Sequence, residues 1–502
     1  MAKRLFRLYE PDRPLPLPPD LRQWLPADHT VYRLSDIVDQ LDLSPITAPY
    51  DQGDGGGNPP YHPVLLTKLL FYPYSQGVVS SRLIAAKTYE DIAFRVLTAD
   101  QHPDFRTISD FRERHLPALT SLFQQVVRLA ARLGLVQLEH VAQDGTKVLA
   151  NASKHRAMSY ARMKLAEERL GREIQVLFAA AQAADAAENA QVGPEHTGDE
   201  GPALLSGEMA RRERRLATIR AAREALEREA QAEAEAIRAA DAAKRQRRAE
   251  AGEAKKPGRP PDPPGVPQDD AQRNFTDADS RIMKNADKAF VQAYNAQAAV
   301  DASPHQIIVG CALSNQAADA PHLEAMVAQV QATTGGQPKE WSADAGFFSA
   351  HNVAVLEAAG IAGFIPPDRQ GHSAPVLPAA VAGVLAAAGL AAPAAVAATA
   401  GEGAAISAKM RAKLRTEAGR AAYAKRKQTV EPVFGQIKER RGLRRFLLRG
   451  LVKVSGEWTL WCLTHNLGKI IAASAMSLAT FATSPRRSPH RRRPMPRRCS
   501  FE

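Results

Sequence analysis

Cysteine is almost absent: Cys311, Cys462 and Cys499 are the only three in 502 residues, an odd and widely spaced set. They offer neither a disulfide framework nor the CxxC spacing of a zinc or redox site, and a reducing cytoplasm is the expected setting. The stretch Met1 to Pro19 alternates charges with prolines and lacks the apolar segment of a secretory signal, so no export signal is expected. Strongly apolar runs are missing as well. Pro378 to Ala400 is uncharged and long enough to span a bilayer, but it is mostly Ala with Gly and Pro and almost no Leu, Ile or Phe. It reads as a low-complexity linker or an Ala-rich helix, and no membrane association is expected.

What is present is charge and helix-forming residues. Lysine and arginine total 66 against 54 acids, a formal net charge of +12. That surplus favours a polyanionic partner such as nucleic acid. Hydrophobic residues make up 45% of the chain, enough to bury a large core, and the length allows two or three domains.

From about Tyr32 to Gly134 apolar residues return every three or four positions, as in Leu65, Leu66, Leu69 and Leu70 and again in Leu119, Leu122, Phe123, Val126 and Val127. A compact helical domain is expected. Thr107 to Asp110 carries helix-start residues that would open a helix at Phe111-Arg112-Glu113. A helix-turn-helix and an ordinary helix pair with a basic solvated face both fit. His140 to Leu149 is a short β-like run. From about Tyr160 to Ala251 the chain is nearly all Ala, Glu, Arg, Gln and Leu, with a break containing Gly and Pro at Gly193 to Gly207. Two long helices forming a hairpin are expected, not a coiled coil, because Ala fills most apolar positions. Lys255 to Pro267 closes this segment as a linker.

Beyond the linker, strands and helices alternate. Ala293 to Asp301 and Gln306 to Leu313 read as a β-hairpin turned at Ala302-Ser303-Pro304-His305. Pro321 to Thr333 reads as helix, Lys339 to Ala343 as a strand ending at Asp344, Ala350 to Ala359 as helix and Ile361 to Ile365 as strand. With the strand at His140, this is the element order of an RNase H-like sheet, an order that other α+β domains share. Ser484 to Glu502 is dominated by Arg and Pro without apolar period and is expected to be disordered.

Phosphodiester cleavage asks for a few carboxylates that hold hard divalent metal ions. Asp144 lies within an apolar strand and precedes Gly145; Asp344 ends a strand and precedes Ala345-Gly346-Phe347-Phe348. Either pattern suits a turn as well as a ligand. Near Glu431, Val430, Val433, Phe434 and Ile437 make an apolar stripe, and Lys438 lies two turns further on, so that an acid and a base face one site. Pro432 cannot sit in a helix interior without losing a hydrogen bond, and the helix is expected to kink or start there. A solvated charged face fits the same residues.

Asp144-Gly145-Thr146-Lys147, Tyr294-Asn295-Ala296-Gln297, Ala343-Asp344-Ala345-Gly346-Phe347-Phe348-Ser349 and Val430 to Lys438 resemble, in that order, the successive blocks of bacterial insertion-sequence transposases with an RNase H-like DDE core. The stretch from Tyr61-His62-Pro63 to Phe111-Arg112 is similar to the N-terminal domain of that family. Tyr423, Arg426, Glu431 and Lys438 match its Tyr-Arg-Glu-Lys signature with one residue more than usual between Arg and Glu, so Arg426 and Lys427 both stand for the basic position. The Ala-rich segment 378–405 and the Arg-rich end depart from the family norm.

The resemblance implies an α+β fold: an RNase H-like mixed sheet flanked by helices, an N-terminal all-α domain and a long helical-hairpin insertion after the first core strand. It implies metal-dependent DNA cleavage and strand transfer, with Asp144, Asp344 and Glu431 holding Mg²⁺ or Mn²⁺, two ions about 3.5–4 Å apart. Lys147, Tyr423, Arg426, Lys427, Lys438, Arg441 and Arg444 would contact DNA. The partners implied are terminal inverted repeats and target DNA, with a homodimer assembled on DNA and a nucleoid-associated location. The expected divisions are 1–135 for the helical domain, 136–159 for the first part of the core, 160–267 for the insertion, 268–475 for the remaining core and 476–502 for the tail. Two alternatives stay open: a transposase-derived DNA-binding protein that no longer cleaves, and a helical scaffold built on the Ala/Glu/Arg hairpin.

Overall fold

The computed structural model describes residues 20–51, 60–191, 201–250, 265–285, 287–368 and 402–483. Most of the expected linker, the Ala-rich segment as far as Ala400 and the Arg/Pro tail lie outside these residues.

Helices precede the sheet: α1 (Thr30–Val38), α2 (Ser44–Asp51), α3 (Pro63–Ser75), α4 (Ser81–Glu90), α5 (Ile92–Leu97), α6 (Phe105–Arg114) and α7 (Ala118–Arg132). The helix expected to open at Phe111 starts at Phe105, because Asp104 caps it: its carboxylate accepts the Arg106 N–H at 2.8 Å. Arg112 on that helix points inward and donates to the Tyr74 hydroxyl and the Val79 carbonyl. One cation of the expected basic face is thus spent inside the fold.

The first strand, β1 (His140–Leu149), and the short β2 (Ala157–Ser159) lead into α8 (Tyr160–Gln191) and α9 (Gly201–Glu250). These two long helices run antiparallel, since Glu167 meets Arg220 and Arg223 whereas Glu173 meets Arg212. They bury a core of their own around Met163, Leu170, Leu216, Ile219 and Leu226. The chain enters and leaves this pair at one place: the Tyr160 N–H donates to the Ala271 carbonyl at 2.8 Å and the Ala161 N–H to that of Asp269 at 3.1 Å.

The return path is β3 (Gln272–Asn274), paired with β2, then β4 (Arg281–Lys284), β5 (Phe290–Asp301), β6 (Ile308–Ser314), α10 (Leu323–Thr334), β7 (Glu340–Ser342), α11 (Ala350–Ala358) and β8 (Ala362–Phe364). β5 is antiparallel to β1 on one side and to β4 and β6 on the other. β1 is parallel to β7, and β7 to β8. β1 is therefore the central strand of a mixed sheet. β6 begins two residues later than expected because Gln306 turns with φ +53°.

Three helices complete the fold: α12 (Glu402–Arg415), α13 (Glu417–Gly435) and α14 (Leu451–Thr483). α14 joins the sheet to the N-terminal helices. Trp458 donates its indole N–H to the Gln297 carbonyl at 3.0 Å, and Asn466 clamps both backbone groups of Ile308. Tyr74 of α3 packs edge-on against Trp461. As a result the N-terminal helices and the sheet share one hydrophobic core, which runs from Val31 through Val141 to Ile471. Among the described residues no helix is long and apolar enough to cross a membrane.

Candidate active site

Alternation along β1 puts Asp144 and Thr146 on one face and Gly145 and Lys147 on the other. α13 lies against the first face. It opens at Thr416, whose hydroxyl accepts the Gly419 N–H, and it buries Val430, Val433 and Phe434. Of the two expectations for Pro432, a kink or a start, the start is excluded: the helix continues through it to Gly435. The carbonyl that the proline leaves without its helical donor, that of Gln428, accepts Gln306 Nε2 at 2.9 Å, which offsets the lost bond. A single π-helical turn, Gln436–Arg440, follows and brings Lys438 Nζ onto the Thr146 hydroxyl and, at 3.2 Å, the Lys147 carbonyl.

α13 also carries Arg426 inward, where only 9% of its side chain is exposed. Its Nη1 donates to Asp144 Oδ2 at 2.8 Å, and its Nη2 lies 3.7 Å from Glu431 Oε1. Tyr423 stacks on the guanidinium, 5.8 Å from ring centroid to Cζ. Asp144 is 19% exposed. Burial pushes its carboxyl up to about 6; Arg426 pulls it down and the nearby charge of Asp344 pushes it up. Asp344 stands at the end of β7, where its Oδ1 accepts the Gly346 N–H at 2.8 Å and caps a short 3₁₀ turn. Glu431 is 55% exposed.

Asp319 has no part in the sequence reading, yet it holds the other face of β1. Its Oδ1 accepts from Lys147 Nζ at 3.2 Å, Asn295 Nδ2 at 2.7 Å and Gln297 Nε2 at 2.8 Å. A Cβ on Gly145 would lie 2.5 Å from Asp319 Oδ1 and 2.3 Å from Gln297 Nε2, so any side chain there would displace these hydrogen-bonded groups. Asp319 Oδ2 and Asp344 Oδ1 approach the Cβ position of Gly346 to 3.3 and 3.0 Å. The only sequence signals for this residue are the Asn295 and Gln297 pair, which point to a polar partner behind β1 without saying which.

The other sequence-expected residues scatter. Lys147 is taken up by Asp319. Lys427 is exposed on α13. Arg444 is exposed and pairs with Glu439. Arg441, expected to contact DNA, is half-buried, and its guanidinium binds the Tyr74 carbonyl at 2.8 Å, the Trp461 carbonyl and the Thr464 hydroxyl. Burial pushes it down to about 10. Arg441 ties the N-terminal helices to α14.

Asp144, Asp344 and Glu431 are hard oxygen donors of the kind Mg²⁺ takes. Asp144 and Glu431 already converge on one cation, the guanidinium, whose Nε is buried without a partner. Among the described residues no three His, Cys, Asp or Glu side chains are close enough to hold a metal ion. The donors fit a divalent cation in kind.

Residues 19–114 match a family model described as Transposase domain (DUF772). Residues 396–471 match one described as Transposase DDE domain, a stretch that includes Tyr423, Arg426, Glu431 and Lys438. No curated protein and no solved structure matches the chain.

Proposed function

We propose that the chain is an insertion-sequence transposase of the DDE type, as the two transposase-domain matches support, and that it cuts DNA at the ends of its element and joins them to target DNA, with Asp144, Asp344 and Glu431 holding two divalent ions. The sheet order, with β1 central between antiparallel β5 and parallel β7, is the order an RNase H-like core requires and supports that reading. On the same reading α8 and α9 are an insertion between the first and second core strands. The observation that carries the proposal is the approach of Asp144 and Glu431 to a single guanidinium, with the Asp344 charge felt at Asp144.

Bound Mg²⁺ or Mn²⁺ supplies activation of the attacking oxygen and charge stabilisation at the leaving one. The residues of the chain do the rest. Asp144, fixed on a central strand, and Asp344, fixed by its own cap, define two corners of the site; Glu431 closes it from α13. Lys438, already bonded to Thr146 beside Asp144, offers an ammonium to the phosphate next to the scissile bond. In cleavage, water forms a bond to phosphorus as the bond to the departing 3′-oxygen breaks; in joining, that 3′-hydroxyl attacks a target phosphodiester and displaces its 3′-oxygen. No covalent link to the protein is needed. We further propose a homodimer assembled on terminal inverted repeats.

The test is nicking of a supercoiled plasmid carrying the element ends, with Mg²⁺ or Mn²⁺, by the wild type and by Asp144→Asn, Asp344→Asn and Glu431→Gln. The wild type is expected to nick and each variant to lose at least a thousandfold in rate while still binding the ends. A variant that cuts at the wild-type rate removes its residue from the site. A wild type that binds but never cuts would favour a DNA-binding relic.

A further inference from the structure

We propose that the mouth of the α8–α9 hairpin is a second DNA surface, which takes the phosphate backbone of the duplex whose scissile bond lies at Asp144; the inference rests on the function proposed above. A cavity of about 500 Å³ opens there, lined by Lys154, His155 and Arg156 from the turn after β1, by Arg162 of α8, by Arg215 of α9 and by Phe275. No acid lines it. Among the described residues none of Lys154, Arg156, Arg162 and Arg215 has an ion-pair partner. Three arginines elsewhere on the same two helices are matched, Arg212 with Glu173 and Arg220 and Arg223 with Glu167, whereas Arg172, Arg211 and Arg228 stand exposed and do not line the cavity. Four unmatched cations around one cavity repel each other unless an anion joins them.

Between the candidate active site and the cavity, cationic residues stand along β1 and the turn after it. Lys438 sits at Thr146, the backbone of Arg445 pairs with Leu149, and Arg449 Nε donates to the Asn151 carbonyl at 3.0 Å. Arg445 also lines a neighbouring hollow with Lys154 and His155. The strand from Asp144 to Leu149 covers roughly 17 Å at ~3.3 Å per residue, about half a turn of duplex DNA. A duplex with one phosphate at Asp144 therefore presents further phosphates along this line and reaches the mouth. Lys and Arg without Asn or Gln among the lining residues suit backbone contact and not base reading.

The probe is a fluorescein-labelled 30-bp DNA duplex, bound by the full chain over a salt series. Lys154→Ala/Arg162→Ala/Arg215→Ala is compared with a control that removes three cations from acid-paired positions on the same hairpin, Lys164→Ala/Arg169→Ala/Arg220→Ala. The mouth variant should lose about 2.7 units of salt slope, ~0.9 for each phosphate contact, and bind at least tenfold more weakly near 0.1 M salt. The control should keep the wild-type slope. The single variants Arg162→Ala and Arg215→Ala, both at exposed helix positions, should each lose about 0.9 and stand in for the triple variant if it unfolds. An unchanged slope in the mouth variants, or an equal loss in the control, overturns the proposal. Tighter binding of a duplex RNA through the same residues would overturn the choice of DNA. A wild type that binds the duplex through the mouth yet nicks no plasmid leaves this surface standing while the cleavage reading fails.

Discussion

Arg426 and Asp144 are 282 residues apart in sequence and form a 2.8 Å ion pair on the inner face of α13. The guanidinium is nearer to Asp144 than to Glu431, at 3.7 Å, so its first role in this state is to balance the more buried acid. A divalent ion carries twice the charge and would compete for the same carboxylates. Arg426→Gln is expected to move the Asp144 titration upward from about 6, because burial and Asp344 would then act without their main opponent. Carboxyl NMR of selectively labelled aspartate checks this. An unmoved titration would show that the pair contributes nothing to the charge state of Asp144.

The same shift sets a pH dependence. The folded chain holds the Asp144 proton up to about 6, above the ordinary 3.8, so the favourable contribution is complete below pH 4 and is lost as pH rises through 6. A shift of about two units corresponds to about 3 kcal/mol. Asp144→Asn removes this penalty, and its melting temperature should exceed that of the wild type at pH 8, with the gap closing toward pH 4. Equal melting temperatures at every pH would mean that Asp144 is not strained by burial.

Asp319→Ala deprives Lys147 of its partner and takes an acceptor from the buried Asn295 and Gln297 amides, of which Asn295 Nδ2 keeps the Gln316 carbonyl at 3.2 Å. A loss of about 2–4 kcal/mol in stability is expected, from about 1–3 kcal/mol for each such group less what rearrangement recovers. Cleavage should fall with it, since Asp319 underlies Gly145 next to Asp144. Asp319→Asn, which keeps the shape, should recover part of the stability. Thermal unfolding and single-turnover cleavage measure both, and wild-type stability in Asp319→Ala would show the cluster to be idle.

For Lys438→Ala the expected effect is a drop of about one unit in the slope of log K against log salt on an end-containing duplex, together with slower cleavage. Half-burial lowers the lysine's hold on its proton, but neighbouring Glu439 and Asp144 oppose the change. A variant that matches the wild type in both slope and rate would reduce this lysine to a clamp on Thr146.

Replacing residues 161–270 with a short linker should leave a cooperatively folding core. The hairpin has its own apolar cluster, and its entry and exit are joined by the Tyr160 to Ala271 hydrogen bond of 2.8 Å. A soluble product without a cooperative melt would show that α8 and α9 belong to the core.

Short-range pattern was enough to read much of this protein. The β-rich runs at His140–Leu149 and Ala293–Asp301, the stripe of Val430, Val433, Phe434 and Ile437, and the Ala/Glu/Arg composition of α8 and α9 each express a local preference that survives folding. The places of Asp144 within β1 and of Asp344 just past the end of β7 were legible for the same reason. Tertiary structure decided what the charges do. Nothing local distinguishes Arg426, drawn inside to Asp144, from Lys427 beside it, which stays exposed, because α13 alone does not say which face meets β1. Arg441 looked like part of a basic surface until Tyr74, 367 residues away, took its guanidinium. Asp319 gained its role from β1 and β5 closing over it, and Pro432 stays within α13 because Gln306, from a distant turn, supplies the donor that a proline cannot. Each outcome depends on which distant partner satisfies a buried polar group, and that partner exists only once the chain has folded.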